Sequence, residues 1–167
     1  MKARKTPKGR PIGPSPEPGT KAPDFVLQRE DGGKISLESL RGSKIVLYFY
    51  PRADTPGCTK EAISFNAKRK EFEKAGAVIL GVSADPPKAQ QKFRDKHELA
   101  FPLLSDETHK MLAAYGAWGE KRMYGKTFLG VRRMTYLIDP KGVIARIWPK
   151  VKVEGHAEEV LSAARAL

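Results

Sequence analysis

The sequence has a single cysteine, Cys58, among its 167 residues. That excludes an intramolecular disulfide and every metal site built from several cysteines, and it suits a reducing compartment where a free thiol survives. Long hydrophobic runs are also missing. The longest, Ile45 to Tyr50, has the length of a strand and falls far short of the roughly 20 residues of a membrane-spanning helix, so a soluble protein without a membrane contact is expected. The first ten residues contain no acid. They are basic but lack the apolar stretch of a secretory signal, and a cytoplasmic location is the expectation. Histidine is scarce as well: His97, His109 and His156 are too scattered for a short-spaced metal motif and read as structural or exposed.

With 40% hydrophobic and 30% charged residues, the composition is that of one ordinary domain with one core. The net charge is +12, of which Lys2, Arg4, Lys5, Lys8 and Arg10 supply +5. The remaining excess lies late in the chain, at Lys121, Arg122, Lys126, Arg132, Arg133, Arg146, Lys150 and Lys152. Such a surface attracts anions, nucleic acid among them, yet no nucleic-acid motif accompanies it, and a solvated basic face is the preferred reading. Residues 1–20 are rich in Lys, Arg, Pro and Gly, with almost no large apolar side chain to offset their ordering entropy. They are expected to form a flexible extension, with a folded domain over 21–167.

Within that domain, Phe25 to Leu27 and Lys34 to Leu37, separated by Asp31-Gly32-Gly33, predict a hairpin. Lys44 to Tyr50 is β-branched and aromatic throughout, as a strand covered on both faces requires. A loop from Pro51 to Gly57 leads into a helical stretch in which Ala62, Phe65, Phe72 and Ala75 recur at helical spacing until Gly76 stops it. Ala77 to Ser83 predicts a second buried strand. Pro86-Pro87 opens a helix carrying Ala89, Phe93 and Leu99, and Asp106 to Tyr115 predicts another. Gly116 to Val131, punctuated by glycine, reads as a long loop. Met134 to Ile138 and Val143 to Trp148 are strands joined by a turn at Asp139 to Gly142, and Val160, Leu161, Ala164 and Leu167 share a face of a closing helix. This order implies an α/β protein with a central mixed β-sheet flanked by helices, the plan of thioredoxin-like folds.

The segment Pro51 to Cys58 places a thiol where a strand's C-terminal end meets a helix's first turn. Free backbone N–H groups and the positive end of the helix dipole favour a thiolate at such a place. Thr55, three residues upstream, has a hydroxyl able to reach the sulfur or an incoming oxygen in a tight loop, while Pro51 and Pro56 stiffen the surroundings. A lone cysteine is in many proteins an inert core residue. A helix start behind a polar Pro/Gly loop is a poor place for such a role and a good one for an anion. A Cys–His hydrolase needs one of the histidines and an orienting Asn or Asp at Cys58, which no local signature supports.

The run Tyr50-Pro51-Arg52-Ala53-Asp54-Thr55-Pro56-Gly57-Cys58-Thr59 contains P-x-x-x-T-x-x-C and resembles the active-site pattern of the peroxiredoxins, in particular the bacterioferritin comigratory protein or peroxiredoxin Q subfamily. The resemblance continues through Ala22-Pro23-Asp24-Phe25, Leu104-Ser105-Asp106, the stretch Tyr115 to Lys121, Gly125-Lys126, and Arg133 ahead of Thr135 to Asp139. It implies that Cys58 is the peroxidatic cysteine, that Thr55 and Arg133 bind and activate the peroxide, and that Pro51 limits solvent access. Arg133 is distinguished from Arg132 only by matching the family position. The resemblance also implies an antioxidant peroxidase that needs neither metal nor organic cofactor and acts as a monomer. Many members carry a second cysteine five residues after the first; here that position is Ile63, and the following helix has none either. The resolving thiol must therefore be external, from thioredoxin, glutaredoxin or a low-molecular-weight thiol.

Two other functions stand beside this one. A thiol–disulfide exchange protein on the same fold would normally need the C-x-x-C pair that is absent here. A basic, nucleic-acid-associated binding protein would retain DNA in a salt-dependent way that survives loss of Cys58.

Overall fold

Tyr48 and Phe49 are adjacent in sequence and fully buried in different cores, because successive residues of a strand face opposite sides of a sheet. The computed structural model in which this is seen describes residues 15–167. In chain order the elements are β1 (Val26–Arg29), β2 (Lys34–Ser36), β3 (Lys44–Phe49), α1 (Pro56–Ala67), α2 (Arg69–Lys74), β4 (Ala77–Ser83), α3 (Pro87–Lys96) and β5 (Leu103–Ser105). They continue with α4 (Lys110–Ala114), β6 (Trp118–Met123), β7 (Lys126–Val131), β8 (Met134–Ile138), β9 (Ile144–Trp148) and α5 (His156–Ala166).

Seven strands form one mixed sheet in the order β2-β1-β5-β4-β3-β8-β9. β3 pairs in parallel with β4, and β4 with β5, while β8 runs antiparallel against β3. Parallel neighbours need a crossover, and α1 with α2 supply it between β3 and β4. Val46, Tyr48 and Tyr50 pack with Phe65 and Phe72 of those helices and with Val160 and Leu161 of α5. Ile45, Leu47 and Phe49 pack on the other face with Leu112, Tyr115 and Tyr136. This is the expected mixed sheet flanked by helices.

Several boundaries differ from the sequence reading. The stretch read as a loop, Gly116 to Val131, contains a two-stranded hairpin, β6 with β7, turned at Tyr124-Gly125. Both turn residues have positive φ, 52° and 75°, which matches the tight hairpin turns that twist with their strands. The helical stretch after Cys58 divides at Lys68, and the helix expected from Asp106 begins only at Lys110. Asp106 instead caps from a distance: its Oδ2 accepts the Leu112 N–H at 2.9 Å. The short strand β5 carries too few residues for a periodicity to register.

Of the extension expected over 1–20, positions 1–14 lie outside the described residues. The last positions are tied to the sheet edge: Gly19 N–H donates to Ile144 C=O at 2.8 Å, and Ile144 N–H to Thr20 C=O at 2.9 Å. An edge strand leaves such groups unpaired, and this segment covers those of β9. No helix among the described residues is long and apolar enough to cross a membrane.

The sheet's close packing makes one residue a test. A Cβ on Gly81 of β4 would lie 3.0 Å from Leu103 Cδ2 and 3.1 Å from the Tyr48 ring. Gly81→Ala is expected to lower the free energy of unfolding by about 1–3 kcal/mol in urea titration, the usual cost of overpacking. An unchanged midpoint would contradict the register of β4 against β3 and β5.

Candidate active site

The loop from Pro51 to Thr55 runs from the end of β3 to the start of α1, and three side chains from other elements hold it. Asp85, after β4, accepts the Ala53 N–H at 2.7 Å and the Ser83 hydroxyl at 2.7 Å. Asp54 takes a left-handed backbone conformation, φ 61°, that costs a non-glycine residue energy. Its carboxylate meets His97 Nε2 and Lys96 Nζ, both at 3.0 Å, at the C-terminal end of α3. Those bonds, His97 foremost, keep the Asp54 carboxyl below its ordinary pKa. Tyr50, just before the loop, donates its hydroxyl to Gln90 of α3.

Thr55 ends the loop as the N-cap of α1 and accepts the Thr59 N–H at 2.8 Å through its carbonyl. Cys58 follows in the first turn, where helix geometry leaves the N–H groups of Gly57 and Cys58 without intrahelical partners. A helix start behind a polar Pro/Gly loop is expected to bury little, but Cys58 is 1% exposed. The loop and the chain around Arg133 cover it.

Arg133 lies just ahead of β8. Its Nη2 is 3.3 Å from Cys58 Sγ and its Nη1 is 2.6 Å from Glu61 Oε1. One planar guanidinium thus bridges two residues of α1 at helical i, i+3 spacing. Burial works against the charge on Arg133, but Glu61 and Cys58 outweigh it and raise its pKa above the usual arginine range. Glu61 is itself 1% exposed in its side chain, and Oε2 has no hydrogen-bond partner among the described residues. Burial pushes its pKa up to about 7, with Arg133 pulling the other way. The result is a thiol in contact with a fixed, permanently charged donor, an arrangement that can stabilise charge on an oxygen arriving beside it.

Of the residues singled out in sequence, Cys58 and Arg133 are brought together directly. Pro51 sits on the wall of a cleft that it shares with Arg133. Thr55 is next to the site, but its hydroxyl donates to Arg52 C=O at 2.8 Å and not to the sulfur. The histidines are apart from it: His97 binds Asp54, His109 stacks on Trp118, and His156 is buried with Nε2 2.8 Å from Thr135 Oγ1. Burial lowers the His156 pKa to about 4. Glu61 escaped the sequence reading. Its signal was a carboxylate one turn after the cysteine, directly before the core residue Ala62.

Residues 18–147 match the AhpC/TSA family. Peroxiredoxin Bcp of Bacillus subtilis is 44% identical over 145 residues, which span 87% of this chain and 92% of the relative. Peroxiredoxin Bcp of Xanthomonas campestris is 46% identical over 143 residues, 86% of this chain and 89% of the relative. Among solved structures, the bacterioferritin comigratory protein of Xanthomonas campestris, studied for its alkyl peroxide reduction activity, superposes with a TM-score of 0.84 at 43% identity. That superposition covers 90% of this chain and 98% of the other.

The buried carboxyl gives a pH test. In the unfolded chain Glu61 ionises near its ordinary value of 4.5, and in the folded protein near 7. Its contribution to stability is therefore complete below about 4.5 and is lost as pH rises through 7. Urea midpoints measured from pH 4.5 to 8 should fall less steeply in Glu61→Gln than in the parent protein. Parallel slopes would contradict the assignment.

Proposed function

We propose, from the premise that this chain belongs to the AhpC/TSA family and is a thiol-dependent peroxidase of the peroxiredoxin type, that Cys58 is its nucleophile and Arg133 the cation that activates sulfur and peroxide together. The observation that supports these roles is the 3.3 Å contact between Arg133 Nη2 and Cys58 Sγ, held in place by Glu61.

In this reading the Cys58 thiolate attacks one oxygen of the hydroperoxide. The S–O bond forms as the O–O bond breaks, and the departing oxygen leaves as hydroxide or alkoxide and takes a proton to become water or alcohol. The guanidinium donates to the oxygen on which charge develops. The unpaired N–H groups at the start of α1 stabilise the same negative charge. Thr55 belongs to the peroxide-binding set by its place in the family pattern; rotation about its Cα–Cβ bond would redirect its hydroxyl from Arg52 toward a bound peroxide. Pro51, on the wall beside Arg133, shields the sulfur from bulk water.

The product is a sulfenic acid at Cys58. Ile63, 47% exposed on α1, stands where many relatives have their second cysteine, so an external thiol completes the cycle. The first thiol forms a mixed disulfide and releases water, and a second displaces Cys58 as thiol. Thioredoxin, glutaredoxin and low-molecular-weight thiols are the candidate classes. We place the cycle in the cytoplasm, where a lone thiol stays reduced, with the chain acting as a monomer.

Stopped-flow mixing of the pre-reduced protein with hydrogen peroxide and with cumene hydroperoxide tests the assignment. Loss of one thiol per chain is expected in a single turnover, with no reaction in Cys58→Ser. Arg133→Ala should react about 100- to 1,000-fold more slowly, the loss typical of one such donor. A parent protein no faster than a free thiol would overturn the reading.

A further inference from the structure

The late basic excess of the sequence gathers beside the site. A cleft of about 490 Å³ is lined by Pro51, Lys121, Arg122, Arg132, Arg133 and Lys150, with Glu120 its one acid. Arg133 is the wall between this cleft and Cys58 Sγ. Of the five cations only Arg133 pairs with a carboxylate among the described residues; Lys121 Nζ donates to Val131 C=O at 2.9 Å. The cations also press on one another. The pKa of Lys121 is lowered by burial and further by Arg133 and Arg132, although Cys58 works in the opposite direction. A cleft in which four of five cations have no carboxylate partner among the described residues is matched by a ligand that supplies carboxylates.

We infer that this cleft is the site of the reducing substrate, and that the reductant is a low-molecular-weight thiol carrying carboxylates, seated with its sulfur toward Cys58. The inference rests on the peroxidase reading above and deepens it by naming the class of thiol.

Three observations select this occupant. The sulfur to be reduced is 1% exposed, and the loop over it is anchored by Asp85, Lys96 and His97. A thiol on the surface of a folded protein would have to displace that loop, whereas a small thiol held in the cleft is separated from the sulfur only by the Arg133 side chain that lines it. The volume falls in the range of small-molecule sites. Finally, hydrogen peroxide and simple alkyl hydroperoxides carry no charge and gain nothing from Lys121, Arg122, Arg132 and Lys150, while the carboxylates of an acidic thiol do. A second cavity, of about 540 Å³ and lined by Met134, Tyr136 and Ile147, adjoins the first through Arg132 and Lys150. Met134 and Tyr136 share a core on the sheet face opposite Cys58, so a lipid hydroperoxide lying there would be turned away from the sulfur.

The chemistry balances without a further reagent. The thiolate of the bound ligand attacks Cys58 sulfenic acid, an S–S bond replaces the S–O bond, and hydroxide leaves and is protonated to water. A second molecule of the same thiol attacks the ligand's sulfur in the mixed disulfide, releasing Cys58 and a symmetrical disulfide, so two thiols are oxidised for each peroxide reduced. Arg132 and Lys150 orient the ligand's carboxylates and take no part in bond making.

The test uses the full chain, oxidised by one equivalent of hydrogen peroxide, with the sulfenic acid verified by dimedone capture and mass spectrometry. It is then mixed with mercaptosuccinate, 2-mercaptoethanol or cysteamine, and each rate is normalised to thiolate concentration. Mercaptosuccinate should resolve the sulfenic acid at least about 10-fold faster than 2-mercaptoethanol, and cysteamine more slowly than either. The preference should shrink at about 0.5 M salt, where charges are screened within a few ångströms. In the double variant Arg132→Gln, Lys150→Gln the ratio of mercaptosuccinate to 2-mercaptoethanol rates should fall toward one. Equal rates for the three thiols, a preference indifferent to salt, or an unchanged ratio in the variant would overturn the inference while leaving the peroxidase intact. Failure to form the sulfenic acid would overturn the peroxidase reading, and this inference with it.

Discussion

The contact between the Arg133 guanidinium and the buried Glu61 carboxylate fixes the donor that Cys58 meets. An arginine side chain has many rotamers, and one left free at the end of a strand would reach into solvent. Glu61 takes one nitrogen of the guanidinium at 2.6 Å, and planarity then aims the other at the sulfur. Burial of the carboxylate is costly, and Arg133 offsets that cost only in part, so the carboxyl stays raised to about 7. The two partners therefore fix each other, and the thiol is the third member of the set.

The fold brings these residues together from distant parts of the chain. Cys58 and Glu61 come from the first turns of α1, which follows β3, and Arg133 from the entry to β8, which pairs with β3 in register from Ile45–Ile138 to Phe49–Met134. Since β8 runs antiparallel to β3, its start lies at the end of β3, where α1 begins. The hairpin β6–β7 ends at Val131 just before Arg132, and its Lys121 is anchored back on Val131. One small region of the protein thus receives the thiol, the arginine in contact with it and the other cations of the neighbouring cleft, which have no carboxylate partner among the described residues.

What the sequence made legible was what lies close together along it. Cys58, Thr55 and Pro51 occupy one contiguous loop and helix start, and the strands Lys44–Phe49 and Ala77–Ser83 announce themselves as unbroken apolar runs. Arg133 could be told from Arg132 only by the family pattern, since both lie in the two-residue connection between β7 and β8 and composition does not say which of them turns inward. Glu61 looked like any helical surface carboxylate because its burial depends on α1 packing against Arg133, 72 residues away in the chain. The hairpin β6–β7 was invisible for a related reason. Among the described residues its strands pair only with each other, and they expose Met123, Phe128 and Leu129, so no alternation between core and solvent was written into them.

A double-mutant cycle on the second-order rate constant for hydrogen peroxide tests the interdependence of Glu61 and Arg133 most directly. If Glu61 acts by holding Arg133, then Glu61→Ala should slow the reaction severely in the parent background and have little further effect once Arg133 is alanine. Equal fold-losses for Glu61→Ala in both backgrounds would mean that the carboxylate acts by another route, and that the bridge from Glu61 through Arg133 to Cys58 does not govern the chemistry.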